Sequence, residues 1–137
     1  MTTQTTIAKN GFSGSIRSTR QKSAIRAAFE RTKRPLSPAE VLTLAAREAS
    51  GLGIATVYRN IKTLVSDGWL TPVDLPGEAP RYEITTRTRH NHFYCNSCGK
   101  VFDVGLCDVN TKKVLPRGFK LTGHQTLLYG NCAECVN

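Results

Sequence analysis

The sequence predicts an α+β fold made of two small domains. Three stretches with hydrophobic residues at helical spacing come first, and two short alternating segments separated by a turn follow them. The last part carries two Cys-x-x-Cys pairs, a spacing that can hold one tetrahedral metal ion. A chain of 137 residues can form two small domains when a metal ion replaces part of a core. We expect these domains at residues 18–86 and 87–137.

A flexible basic arm is predicted over residues 1–17, ahead of the first domain. This segment is rich in Thr, Ser and Gly and contains no acidic residue. Such an arm can reach a DNA minor groove, although an organellar transit peptide has a similar composition. Residues 1–90 hold 14 Lys and Arg against 7 Asp and Glu, within a net charge of +9 for the chain. A polyanion such as nucleic acid is therefore the expected partner, with charge that only aids solubility as the alternative.

The first two helices are predicted from their caps and their spacing. Ser18 begins a capping-box pattern, and apolar residues then recur three and four apart, which predicts a first helix over about residues 19–32. Ser37 is the N-cap candidate of the second helix, since a proline and a glutamate follow at its first and third positions. Gly51 and Gly53 then end that helix.

A third helix and a hairpin complete the first domain. The helix is predicted between Gly53 and the stop at residues 67–68, with one apolar stripe and one polar, basic face that lacks acids. Two short strands follow at residues 69–73 and 82–84, with a turn at residues 76–80 between them. Three helices followed by a two-stranded hairpin is the winged-helix order, in which the third helix enters the DNA major groove.

The polar face of the third helix is the predicted DNA-reading surface. Hydroxyl, amide and guanidinium groups on such a face contact phosphates and base edges. Cations of the arm and the first helix add phosphate contacts. An ordinary solvated helix face is the alternative, and we assign Lys62 alone to it. The candidate DNA-binding residues are Arg17, Arg20, Lys22, Ala55, Thr56, Tyr58, Arg59 and Asn60.

Structural zinc is the predicted ligand of four cysteines in the second domain. Cys95 and Cys98 form one pair, Cys132 and Cys135 form the other, and four thiolates suit tetrahedral Zn2+. Two disulfides are the alternative, but we expect no secretory segment, and Cys107 would be left over. A thioredoxin-like redox pair fits less well, because that chemistry uses one such pair at the start of a helix.

The remaining elements of the second domain are predicted as a small α/β unit. Residues 93–94 and 101–102 flank the first cysteine pair as a hairpin, and a short helix covers about residues 108–115. Later strands are expected near residues 119–121 and 127–129. No apolar run approaches the roughly 18 residues that span a bilayer. We therefore expect a soluble, cytoplasmic protein with no membrane partner.

Three segments resemble the ferric uptake regulator family of bacterial metal-responsive repressors. They are Gly-Ile-Ala-Thr-Val-Tyr-Arg at residues 53–59, the histidine and cysteine motif at residues 90–101, and the second cysteine motif at residues 128–135. Their order and spacing extend the resemblance over nearly all of the chain after Ser18. The resemblance implies a homodimer formed through the C-terminal domains, with two winged helices that read a palindromic operator and a metal that sets the angle between them.

The resemblance also implies a regulatory metal site. Glu83, His90 and His92 match three of its ligands, and Asp103 matches an acid that can join them. Two imidazoles with carboxylates suit Zn2+, Fe2+ or Mn2+, whereas ordinary surface histidines are the alternative. The family's usual histidine before the second helix falls at Pro35, which has no donor atom for a metal.

Two further residues have less defined roles. His124 matches one ligand of a further family site, but the usual partners fall at Arg89, Asn91 and Asn110, so we expect that site to be absent. Cys107 can act as a soft ligand of the sensor, as a small buried thiol or as a redox-sensitive thiol.

These features predict a metal-responsive repressor that controls metal-homeostasis or related stress genes. A constitutive, peroxide-responsive or thiol-responsive regulator of the same fold is the alternative, because Pro35 replaces one ligand of the sensing site. Peroxide sensing fits less well, because the carboxylate usual in such sensors falls at Ile84. A zinc-ribbon module that binds nucleic acid or protein is the alternative from another class. An enzyme is not expected, because a zinc ion closed by four thiolates has no open coordination position.

Overall fold

The computed structural model describes two compact units, Met1–Thr85 and Thr86–Asn137. Backbone is described for residues 2–86, 89–106, 111–123 and 126–136, and side chains for the same ranges except residues 2–15, 111 and 112. No helix in these ranges is long and apolar enough to cross a membrane. The elements are α1 (Thr2–Thr32), α2 (Pro38–Ala45), α3 (Ile54–Ser66), β1 (Leu70–Val73), β2 (Arg81–Ile84), β3 (Asn91–Cys95), β4 (Val101–Val104), α4 (Thr111–Val114) and β5 (Leu127–Gly130).

The first unit has one hydrophobic core between its three helices. Apolar side chains recur at helical spacing along α1, α2 and α3, and Leu70 of β1 packs on the same cluster. Full burial of one large aliphatic or aromatic side chain contributes about 1.5–3 kcal/mol. Because this stripe holds one side of α3 in the core, its polar side faces outward. The predicted order of three helices and a hairpin is confirmed. The largest fully buried side chains include Ile25, Phe29, Leu36, Val41 and Val57.

Helix α1 begins much earlier than the predicted start near residue 19. Residues 2–17, which were expected as an arm, form the N-terminal part of α1, and Ser18 lies inside the helix. This segment contains no proline, so backbone N–H groups can continue the helical ladder despite the low helix propensity of Thr and Gly. A capping-box pattern marks a start only where the preceding chain is not already helical. The structure therefore replaces the predicted arm with a longer helix.

Helix α2 begins at the predicted cap, Ser37. Its hydroxyl accepts a hydrogen bond from the Glu40 N–H at 3.1 Å, and the Glu40 carboxylate accepts one from the Ser37 N–H at 3.2 Å. Arg34 and Arg81 also donate to this carboxylate, at 2.7 and 3.1 Å. Burial raises the pKa of Glu40, but these donors and the two guanidinium charges outweigh it, so the pKa lies below its ordinary value. The network fastens β2 to the start of α2.

Replacing Glu40 with glutamine is expected to destabilise the first unit by about 1–2 kcal/mol at neutral pH. Glutamine keeps the size of the side chain but removes the charge that both arginines contact. Because folding lowers the pKa of Glu40, its stabilising effect is present above the unfolded value of 4.5 and is lost as pH falls through the lower folded value. Unfolding can be followed by fluorescence of Trp69, the one tryptophan of the chain.

The matched control is Glu30→Gln, at an exposed position of α1. A surface change of this kind is expected to alter stability by no more than about 0.5 kcal/mol. A destabilisation by Glu40→Gln that is equal at neutral pH and well below pH 4.5 would contradict the assigned role of the carboxylate.

The β1–β2 hairpin is antiparallel, with Leu70 opposite Ile84. Leu36 joins it from the segment before α2, since its N–H donates to the Tyr82 carbonyl at 2.8 Å and its carbonyl accepts from the Tyr82 N–H at 2.9 Å. This bridge gives the hairpin a third, very short backbone neighbour. The hairpin is therefore held to the helices by backbone bonds as well as by the Glu40 network.

The second unit contains a three-stranded sheet in the order β4-β3-β5, with β3 antiparallel to β4 and parallel to β5. These strands confirm the three predicted near residues 93–94, 101–102 and 127–129. The strand predicted at residues 119–121 is wrong. Phe119 and Leu121 are 66% and 41% exposed, and within the described ranges no strand pairs with this segment. A segment of alternating hydrophobic and polar residues forms a strand only where backbone hydrogen bonds pair it with a neighbouring strand. Of the helix predicted at about residues 108–115, the structure shows Thr111–Val114 as α4, and residues 108–110 lie outside the described residues.

Candidate metal centres and DNA-binding face

Four cysteines converge at one end of the sheet in the second unit. Cys95 is the last residue of β3, and Cys98 lies in the turn before β4. Cys132 and Cys135 follow β5, which the parallel pairing of Cys95 with Gly130 brings alongside β3. The four sulfur atoms lie within 4.8 Å of one another. The sheet thus unites two motifs that are distant in the sequence.

The sulfur spacing fits a tetrahedral zinc ion. The Sγ atoms of Cys98 and Cys132 are 3.8 Å apart. Zn–S bonds of about 2.3 Å give an S–S edge of about 3.8 Å in a tetrahedron, whereas a disulfide requires about 2.05 Å. All four cysteines are free thiols, so the two-disulfide alternative does not fit. Gly99 follows at a φ of 73°, a value that glycine adopts readily, and closes the turn.

The thiols of this cluster differ strongly in acidity. The N–H groups of Cys98 and Cys132 point at the Cys95 sulfur from 3.5 and 3.3 Å, and they lower the pKa of that thiol to about 6. The neighbouring Cys132 sulfur and burial raise the pKa of Cys135 to about 12. Like charges this close oppose one another, so a divalent cation is needed before all four can ionise. The donor set favours a soft, four-coordinate ion such as Zn2+.

A second cluster joins β3 and β4. His92 lies opposite Asp103 in the antiparallel pair, and His90 precedes it by two residues. The Nε2 atoms of both histidines lie 3.3 Å from the same Oδ1 atom of Asp103. The two rings meet nearly edge to face, with centroids 4.9 Å apart. Metal–ligand bonds of 2.0–2.1 Å place tetrahedral ligands about 3.3–3.4 Å apart, so these three donors fit one divalent ion.

Glu83 and Pro35 both belong to the first unit. Glu83 lies on β2 and is only 7% exposed, which is unusual for a carboxylate. Burial of an acidic side chain is frequent at functional sites. Pro35 is fully buried and offers no donor atom to a metal. The assignment of Glu83 to the regulatory site stays a prediction from the sequence.

Helix α3 turns its polar face to solvent. Val57 and Ile61 are buried in the core, whereas Tyr58 is 54% exposed. The Arg59 guanidinium donates to the Thr56 hydroxyl at 3.1 Å, a local contact that leaves most of its donors available to a ligand. The predicted DNA-binding residues on this helix are all exposed or half-buried, namely Ala55, Thr56, Tyr58, Arg59 and Asn60.

The predicted contacts on α1 are also exposed. Arg17, Arg20 and Lys22 all lie on this helix with accessible side chains. Arg17 reaches the segment after α2, where its guanidinium lies so close to Gly51 that a Cβ atom built there would be 2.7 Å from the Nη2 atom. The sequence pattern predicts only the end of a helix at Gly51. The pair of glycines just before the third helix was the available signal that backbone is approached closely there.

Three residues of less defined role, Cys107, Asn110 and His124, lie outside the described residues, so the assignments made for them stay predictions. Arg89 is exposed. Asn91 on β3 donates to the Gly105 carbonyl at 3.4 Å.

Comparison with known proteins gives one consistent result. Residues 13–129 match the family model described as the ferric uptake regulator family. The ferric uptake regulation protein of Campylobacter jejuni is 35% identical over 89 residues, which are 63% of this chain and 57% of that protein. The zinc uptake regulation protein of Mycobacterium tuberculosis is 27% identical over 123 residues, 88% of this chain and 95% of that protein. The chain spans about 57% of the length of the first curated relatives it matches.

Solved structures share the fold. A zinc-bound manganese uptake regulator has a TM-score of 0.67 at 23% identity, covering 82% of this chain and 87% of its own. The ferric uptake regulator from Francisella tularensis with iron has a TM-score of 0.63 at 25% identity, covering 85% of this chain and 91% of its own. The predicted α+β class is confirmed by these likenesses.

Proposed function

The chain belongs to the ferric uptake regulator family, and on this premise we propose that it is a metal-responsive transcription regulator that represses its target genes as a DNA-bound homodimer. Members of this family are transcriptional regulators and not enzymes. The proposed targets are genes of metal homeostasis or related stress responses. A protein with this role acts at the chromosome, which in bacteria means the cytoplasm.

The observation that carries the proposal is the His90, His92 and Asp103 cluster. Two imidazoles on one carboxylate oxygen form a donor set for a divalent ion, separate from the four cysteines. We propose Glu83 as a further ligand on the sequence resemblance alone. A structural zinc at the cysteines and an exchangeable ion at the histidines would divide stability and sensing between two sites. A bound metal changes the affinity of the protein for DNA only if the metal binds the conformation that binds DNA and the conformation that does not with different affinities.

The proposed reading surface is the exposed face of α3. Tyr58 and Arg59 extend from this face, and Thr56 and Asn60 offer smaller polar groups beside them. Arg side chains pair with guanine edges through two hydrogen bonds, and Asn pairs with adenine in the same way. Arg17, Arg20 and Lys22 add positive charge on α1 for contacts with the phosphate backbone.

Exposed apolar groups on the second unit support dimerisation through it. In the described part of the chain β5 is an edge strand, and its Leu128 and Tyr129 are 37% and 57% exposed. Phe119 and Val136 of the same unit are 66% and 59% exposed. Edge strands and exposed apolar patches are typical of protein–protein interfaces. A second copy of the chain is the proposed partner.

A constitutive regulator is the second candidate, and the burial of Pro35 favours it. The chain at this position packs into the core of the first unit, next to the bridge between Leu36 and Tyr82. The Glu40 carboxylate also fastens the hairpin to α2, because arginine side chains donate hydrogen bonds to it directly and no metal ion is needed for this link. A hairpin held in this way has less need of a metal ligand from that segment.

Selection of duplex DNA from a random pool tests the proposal. The purified chain is incubated with the pool in the presence of Zn2+, Mn2+ or anaerobic Fe2+, and in parallel with a chelator. We expect enrichment of an inverted repeat with at least one metal, and loss of enrichment with the chelator. Equal enrichment in every condition supports the constitutive candidate. The absence of any enriched sequence contradicts a sequence-specific regulator and favours a zinc-ribbon interaction module.

Replacing Arg59 with alanine is expected to weaken binding to the selected operator by about 10-fold to 100-fold, the value of one paired base contact. Affinity for random duplex DNA should change much less, because a base contact contributes little there. Quantitative gel-shift titrations with both duplexes measure the difference. Lys62→Ala, at an exposed position of the same helix, is the matched control and should leave the sequence preference unchanged. Equal losses on both duplexes would contradict base reading by Arg59.

A further inference from the structure

Two cysteine turns form the four-cysteine site, and a backbone bond joins them. The first turn, residues 95–98, begins at the end of β3, and the second turn, residues 132–135, follows β5. The carbonyl of Gly130, the last residue of β5, accepts a hydrogen bond from the Asn96 N–H at 2.7 Å. A Cβ atom at Gly130 would lie 3.1 Å from the Phe93 Cζ atom, so the ends of these strands are closely packed. Contact between the two turns therefore does not depend on bonds to a metal alone.

A hydrogen bond between side chains makes a further connection at the surface of the two turns. The Ser97 hydroxyl donates to the Asn131 Oδ1 atom at 2.8 Å. Ser97 lies inside the first turn, between its two cysteines, and Asn131 directly precedes Cys132, the first residue of the second turn. Both residues are exposed, so the bond adds nothing to a hydrophobic core. What it fixes is the position of one turn relative to the other.

Release of zinc from a site of this kind depends on whether the two turns stay together. A chelator replaces the thiolates one at a time, and a replaced thiolate returns quickly while it is held close to the ion. Each turn holds two of the four sulfurs, so net release requires the turns to move apart. A bond between the turns that does not involve zinc therefore slows release.

We infer that Ser97 and Asn131 are positioning residues of the zinc centre, which hold the two cysteine turns together and thereby slow the release of zinc. Neither residue acts as a ligand. Each acts through the cysteine next to it, Cys98 in the first turn and Cys132 in the second. The inference rests on structural zinc and not on DNA binding, so it goes beyond the proposed regulator.

The rate of zinc transfer to a competing chelator tests the inference. The zinc-loaded full chain is mixed with an excess of a coloured zinc chelator, and transfer is timed for the wild type, Ser97→Ala, Asn131→Ala and the double variant. We expect each single substitution to speed transfer by about 2-fold to 10-fold, the value of one hydrogen bond. The double variant should be no faster than the faster single variant, because both substitutions remove the same bond. Ser97→Thr keeps a hydroxyl group and should keep the wild-type rate.

Asn96→Ala is the matched control. It removes a neighbouring exposed side chain, while the backbone N–H that bonds to Gly130 remains. It should leave the transfer rate unchanged. Hydrogen exchange of β3 in the zinc-bound chain and the visible spectrum of the Co2+-substituted chain report the fold and the tetrahedral thiolate coordination. We expect both to match the wild type in every variant, because the substitutions change how fast the ion leaves and not how it is bound.

Several outcomes would overturn the inference. Wild-type transfer rates in both single variants would exclude a role for the bond. A double variant whose acceleration is the product of the two single effects would show that the two residues act independently. Faster exchange of β3 in zinc-bound Ser97→Ala would indicate a loss of folding and not of positioning. A wild-type chain that holds no zinc contradicts the zinc assignment and this inference together, whereas a chain with the expected transfer rates that selects no DNA contradicts only the proposed function.

Discussion

Replacing Cys98 with serine is expected to remove the tightly bound zinc and to unfold the second unit while the first unit stays folded. Cys98 is the exposed member of the four cysteines, so its loss removes little packing and acts through the metal. Structural zinc contributes on the order of 10 kcal/mol to the folding of small domains. A three-stranded sheet with few buried side chains cannot replace that contribution from its own core.

Three measurements separate the two units. Native mass spectrometry counts metal ions per chain before and after mild chelation. Hydrogen exchange over residues 91–104 and 127–130 reports the sheet of the second unit, and Trp69 fluorescence reports the first. We expect rapid exchange in the sheet of Cys98→Ser with unchanged tryptophan emission. One zinc per chain should resist chelation in the wild type.

Cys107→Ser is the matched control, because it removes the fifth cysteine and keeps the four-cysteine cluster. It should retain zinc and slow exchange. Retention of zinc and of a protected sheet in Cys98→Ser would contradict the structural-zinc assignment. Loss of zinc from Cys107→Ser would show that the fifth thiol belongs to a metal site.

The double substitution His90→Ala and His92→Ala is expected to abolish the effect of metal on DNA binding while one zinc per chain remains. Both imidazoles contact one Asp103 oxygen, so their removal takes away two of the three donors in this cluster. Coupling between an effector site and a second site is typically 1–3 kcal/mol, or about 5-fold to 150-fold in affinity. We expect the ratio of operator affinities with and without metal to fall from this range to one.

Two measurements distinguish a loss of metal sensing from a loss of folding. Gel-shift titrations at several metal concentrations give the affinity ratio, and native mass spectrometry gives the number of ions retained. His124→Ala is the control, because the sequence predicts no complete site at that histidine. A full metal response in the double variant would contradict a regulatory site at His90 and His92. Loss of the response in His124→Ala alone would move the sensor to that residue.

Local signals made several elements predictable. The cap at Ser37 depends on a few adjacent residues, because its hydrogen bonds join backbone and side chains within one turn. The local sequence pattern therefore predicts it. The same holds for the α3 stripe, whose Val57 and Ile61 repeat at helical spacing. The start of α1 was missed because the Ser18 pattern also occurs inside a helix. The strand prediction at residues 119–121 is wrong because alternating hydrophobicity along a segment does not specify a neighbouring strand.

The amino-acid sequence specifies the metal-donor atoms of this protein, which are four cysteine sulfurs in two close pairs and two histidines separated by one residue, and it also specifies a helix face without acids. The fold specifies which of these donor atoms lie close together. The parallel pairing of β3 with β5 brings Cys132 to Cys95, and the register of β3 with β4 sets Asp103 against His92. The Arg17 contact with Gly51 likewise joins two distant segments. Caps and periodicity depend on bonds within a few residues, whereas strand register depends on burial and backbone pairing between segments far apart in the chain.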